Sequence, residues 1–133
     1  RELASRVDIF WERYVKVGNI EANCTLDIAR TMILPAAVRY LGELAGASRS
    51  KGVTRVADEV AALTDRLIDA IHALEHAQHA AHDHGSVQAE AQAYVDVVIP
   101  AQNAVREVAD ALEAVVADEL WPLPKYRELL FQY

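Results

Sequence analysis

All five histidines of this chain lie between positions 72 and 84. His72, His76 and His79 are spaced i, i+4 and i+7, which on a helix brings them within about 60° of one another. Imidazoles on adjacent helical turns can share one zinc or nickel ion. The same arc runs back through Asp58, Asp65 and Asp69, opposite an apolar seam through Val60, Leu67 and Leu74. The arc is therefore expected to face water. His72, His76 and His79 are read as weak, adventitious metal ligands, because a working zinc site needs a pocket and outer partners that an open helix face does not supply.

The remaining reactive side chains give less. The carboxylate pairs Asp118–Glu119, Asp58–Glu59 and Glu21–Asp27 sit where charged helix surface is expected. Arg30 borders an apolar stripe and is expected to be partly covered, paired with Asp27 or with a carboxylate from another helix. Cys24 is the single thiol. It has no histidine near it in sequence and is read as buried and inert. Phosphate-cradling glycine loops, HExxH and nucleophile-elbow patterns are all missing from the sequence. No catalytic, cofactor-binding or dedicated metal residue is assigned.

These side chains are carried by apolar repeats of helical period. A first helix is expected over about Glu2–Val17, with Leu3, Val7, Phe10, Tyr14 and Val17 as its seam. Gly18 is expected to end it and Asn19 to cap the next. The second helix runs to about Ala45 with a stripe of Ala22, Leu26, Ala29, Ile33, Ala37, Tyr40 and Leu44. Its apolar surface covers more than half the circumference, so it is placed at the centre of a bundle. Pro35 lies inside it and should kink it. The glycine- and serine-rich stretch from Gly46 to Gly52 is a flexible loop.

A third helix is expected over about Val53–Ala81 and a fourth over about Val87–Leu120, with Pro100 bending the fourth. Their seams keep a four-three spacing: Val56, Val60, Leu63, Leu67, Ala70, Leu74, Ala77 and Ala81, then Val87, Ala91, Tyr94, Val98, Ala101, Val105, Val108, Leu112 and Val115. A short link at His82–Ser86, in which Gly85 ends one helix and Ser86 caps the other, makes the pair antiparallel. Pro122 and Pro124 stop the pattern, and a last short helix follows over Lys125–Phe131.

The fold predicted is thus all-α. It is an antiparallel bundle of four main helices, kinked at Pro35 and Pro100, with a short C-terminal helix, forming one domain over residues 1–133. Hydrophobic residues make up 53% of the chain and aromatics only 7%, a balance suited to close helix packing. A net charge of −7 lacks the electrostatic footprint of nucleic-acid binding. No apolar run approaches the roughly 20 residues of a membrane span. A single cysteine rules out an internal disulfide framework and suits a reducing, cytoplasmic setting. The chain opens at Arg1, already in helical pattern, and is expected to be part of a longer polypeptide.

Two segments carry a resemblance. IEANCTLDIARTMILPAAVRYLGEL (20–44) is similar to the segment opening the C-terminal region of type III glutamine synthetases, and DELWPLPKYRELLF (118–131) resembles their final residues. The resemblance implies a C-terminal domain with a structural role in oligomer assembly. It also implies an upstream catalytic domain on the same polypeptide that joins ammonia to glutamate with ATP and Mg or Mn, and a homo-oligomeric enzyme. None of that family's catalytic motifs matches a position here. Trp121, Leu123, Tyr126, Leu130 and Phe131 are carried over as candidate interface residues. A free-standing helical interaction module is the competing expectation.

Overall fold

The computed structural model describes residues 2–47, 50–82 and 85–130; side chains at 2–4 and at 126–127 are outside the description. Among the described residues the chain is all-helical, with no strand. Its elements are α1 (Glu2–Ile28), a π-helical segment (Ala29–Ile33), α2 (Leu34–Ala47), α3 (Lys51–His82), α4 (Val87–Ala93), a second π-helical segment (Tyr94–Val98), α5 (Ile99–Val115), a 3-10 turn (Asp118–Leu120) and α6 (Tyr126–Leu130). Four of these are long: α1, α2, α3 and α5.

The first boundary differs from expectation. Gly18 and Asn19 lie inside α1, which continues for another nine residues to Ile28. Glycine weakens a helix by only about 1 kcal/mol, and tertiary contacts outweigh that here. A Cβ on Gly18 would stand 2.8 Å from Cδ1 of the fully buried Tyr94. Gly18 is a point of close approach between α1 and the fourth rod, formed by α4, the second π segment and α5 (87–115). The buried line of α1 is accordingly Val15, Ala22 and Leu26, with Trp11 packed against it. It is not the seam through Val7, Phe10 and Val17, whose side chains are 45%, 62% and 47% exposed.

From Ala22 onward the expected stripe is present. Ala22, Leu26, Ala29, Ile33 and Ala37 are buried, and Tyr40 and Leu44 pack at its edge. The element in contact with every other long segment, however, is α3. It touches α1, α2, α4, α5 and both π segments. Its seam is buried from Val60 to Ala81, with Val56 exposed at its start, and the fourth rod answers with Ala91, Tyr94, Val98, Val105, Val108 and Leu112.

Both internal prolines follow a π-helical segment. Ile33 ends the first segment two residues before Pro35, and Val98 ends the second two residues before Pro100. The amide of Leu34 reaches Ala29 O, and that of Ile99 reaches Tyr94 O, each an i→i−5 bond. A proline ring crowds the carbonyl four residues back and offers no N–H. The wider π turn just before each ring accommodates this defect.

Several end-points move. Ser50 receives bonds from the Val53 and Thr54 amides and starts α3 at Lys51, so Gly52 is helical and not loop. Ser86 caps α4 as expected, accepting from the Ala89 amide at 3.2 Å. Gly85 has no positive φ and so does not form a left-handed helix end. The fourth rod stops at Val115, not Leu120, where Val116 turns extended (φ −71°, ψ 141°) and buries its side chain.

Candidate functional site

The α1–α3 seam holds the chain's buried polar layer. Gln78, only 7% exposed, donates from Nε2 to Asn19 Oδ1 (3.1 Å) and to Asn23 Oδ1 (3.2 Å). One turn further along, Arg30 pairs with Glu75 on α3. The partner is thus the inter-helix carboxylate and not Asp27. Arg30's hydrogen bond holds the Glu75 carboxyl below its ordinary 4.5, against the opposing effect of burial, and the charges of Arg30, His72 and His79 add to the lowering. Asn23, Arg30, Glu75 and Gln78 line a groove of about 340 Å³ with Asp27, Thr31 and His79.

His72, His76 and His79 are all exposed on α3. His79 Nδ1 lies 2.7 Å from the Glu75 carbonyl oxygen, a bond internal to the helix. Among the described residues no three His, Cys, Asp or Glu side chains are grouped so that they could hold a metal ion. His82 sits apart. Its Nδ1 lies 2.6 Å from Glu90 Oε1 across the α3–α4 hairpin, and its ring meets Tyr94 edge to face. Burial first, and then the Glu90 charge, push the Tyr94 phenol above its ordinary value of 10.0. His84 lies outside the described residues.

A second groove, about 480 Å³, runs between the C-terminal end of α1 and the first half of α5. Ile28, Ala29, Ile33, Val105 and Leu123 make its apolar floor; Gln102, Asn103 and Arg106 stand on its rim. The tail closes one end of it. Trp121 is buried at 8% exposure and Leu123 is half-buried, while Lys125 Nζ reaches Asp118 Oδ1 at 2.9 Å. Leu129 and Leu130 are 59% and 69% exposed. The Tyr126 side chain and Phe131 lie outside the described residues. The tail candidates thus divide between a core anchor, Trp121, and an outward end, Leu130.

Sequence reasoning placed Cys24 in the interior, and the structure places it on the surface. The reason is that α1 has two apolar stripes, and Cys24 belongs to the outer one. Ile9, Phe10, Val17 and Ile20, each 47–63% exposed, precede it on the side opposite the core. Of these residues the sequence reading put Phe10 and Val17 in the inward seam of a first helix and Cys24 in the interior of a second, and all three are exposed.

Residues 1–51 match the family model described as the glutamine synthetase C-terminal domain. Over 98% of its length the chain is similar to a glutamine synthetase of Bacteroides fragilis (strain YCH46), 31% identical over 148 residues. It is similar over the same share to a type-3 glutamine synthetase of Dictyostelium discoideum, 33% identical over 144 residues. The chain spans 20% of the length of each relative. A helical domain with this match belongs among the glutamine synthetase C-terminal domains. Within that class the Dictyostelium relative is named type-3, the kind that this chain resembles. Among the described residues no helix is long and apolar enough to cross a membrane.

Proposed function

We propose that this chain is a non-catalytic assembly domain, carried at the C-terminal end of a cytoplasmic ATP-dependent glutamate–ammonia ligase that works as a homo-oligomer. In that enzyme ATP and Mg or Mn belong to the upstream catalytic domain, the direct partner of this one. The supporting observation is the similarity along 98% of this chain to one fifth of two glutamine synthetases. The side-chain inventory points the same way: the polar layer at Gln78 joins α1 to α3 and the Arg30–Glu75 pair joins the first π segment to α3, an architectural use of polar groups.

In this reading the rods run antiparallel and bend near Pro35 and Pro100, where a π segment precedes each ring. The tail is seated by Trp121 and Leu123 and presents Leu130, with Tyr126 and Phe131 beside it in sequence, to a neighbouring subunit. The test uses the full-length polypeptide, a version truncated after Leu120, and the 133-residue chain. Glutamine formation is assayed with glutamate, ammonia, ATP and magnesium, and mass by light scattering. The full-length protein should turn over and assemble, the truncated one should lose assembly, and the chain alone should make no glutamine. Turnover by the pure 133-residue chain would overturn the proposal.

A further inference from the structure

On α1, Phe10, Val17 and Cys24 recur every seven residues, and Ile9 and Ile20 flank them. Read at 100° per residue these five occupy an arc of about 100°, centred opposite the buried line of Trp11, Val15, Ala22 and Leu26. Phe10 is 62% exposed, Ile9 63%, Ile20 62% and Val17 47%. A helix apolar on two opposite sides is a helix covered on both. The inner side is already closed within this chain, since Ala22 is fully buried. Arg13, exposed, stands at the centre of the outer arc. Arginine among aromatic and aliphatic side chains is the composition of an interface core, where a guanidinium finds a carboxylate or carbonyl.

We infer that this outer stripe of α1 is the face by which the domain is seated on the polypeptide that precedes it in its own chain, on an apolar surface with an acceptor for Arg13. The inference rests on the reading of this chain as the C-terminal domain of a longer ligase. Relatives of the chain are about five times its length, and in a polypeptide that ends in this domain the remainder precedes it. That polypeptide joins at α1, the element bearing the stripe. Five partly exposed side chains offer on the order of a few hundred Å². A stable contact between separate molecules buries roughly 800 Å² on each side. A small patch suffices when the partner is tethered, because the effective concentration is then in the millimolar range. Size therefore favours the chain's own preceding part over a second copy.

Cys24, the one thiol of this segment, lies on the stripe and reports its coverage. In the full-length protein, N-ethylmaleimide labelling of the peptide containing Cys24 is followed by mass spectrometry, native and in urea, for the natural sequence and for Phe10→Glu and Ile20→Glu. Labelling in the native protein should be at least tenfold slower than in urea. Each variant, altered at an exposed position, should restore most of the rate while the circular dichroism stays helical. Native labelling as fast as in urea overturns the inference. So does protection that disappears on dilution in step with oligomer mass, which would assign the stripe to a second copy. Absence of glutamine synthesis by the full-length protein would defeat the ligase reading and leave the Cys24 result to stand separately.

Discussion

Replacing Gly18 by alanine puts two effects of opposite sign in competition. In a helix interior alanine is worth about 0.8–1 kcal/mol over glycine. At Gly18 the added methyl would lie 2.8 Å from Cδ1 and 3.2 Å from Cε1 of Tyr94, a ring with no exposed surface into which to retreat. Overpacking of this kind costs about 1–3 kcal/mol. The net expectation is a loss of about 0–2 kcal/mol, up to roughly 6 °C in melting temperature for a chain of this size. Gly42 in α2 supplies the control, because a Cβ there meets nothing within 4 Å. Gly42→Ala should gain about 0.5–1 kcal/mol. Both values come from urea titrations followed by circular dichroism at 222 nm. In a Tyr94→Leu background the penalty at position 18 should shrink by about 1 kcal/mol or more. If Gly18→Ala stabilises as much as Gly42→Ala does, the close approach of α1 and Tyr94 is wrong.

Acid should weaken the Arg30–Glu75 pair. Because the folded Glu75 titrates below its ordinary 4.5, the pair's contribution is complete above that value and is lost as pH falls through the lower, folded one. Arg30→Ala should therefore cost about 0.2–1 kcal/mol at pH 7, as a partly exposed pair does, and almost nothing near pH 2; an equal cost at both pH values refutes the assignment. Trp121→Ala, emptying the buried anchor of the tail, should lose about 3–5 kcal/mol in a denaturant titration, and a loss under 1 kcal/mol would show that the tail does not complete the core.

Helical content was open to reading because spacings of three and four recur from Ala22 to Leu112, and nearly every such position on α3 and the fourth rod is buried. What failed did so for a common reason. Periodicity defines stripes but not which stripe faces inward. On α1 one stripe contains Phe10, Val17 and Cys24, and the other Trp11, Val15 and Leu26. The inner one is interrupted by Gly18, which carries no apolar signal, although its lack of a side chain is what admits Tyr94. Arg30 was expected to be partly covered and its side chain is 42% exposed; Glu75 is 45 positions away in sequence, and no local pattern ties the two. The end of the fourth rod at Val115 was obscured by Val116, whose side chain is buried although its backbone is extended.

The contact of Gln78 with Asn19 and Asn23 bears on how these rods find a single alignment. Seams rich in alanine and with few large side chains slide easily, since displacement by a turn exchanges one small apolar contact for another. Gln78 breaks that equivalence. Its amide group has two hydrogens, and Asn19 and Asn23, one turn apart, receive one each. A slip of one turn, about 5.4 Å, would carry the amide past one of the two and leave a buried donor bare, at about 1–3 kcal/mol. The polar layer thus works as a detent: it adds little to the depth of the native minimum and raises the neighbouring minima, so that an otherwise uniform interface has one resting position.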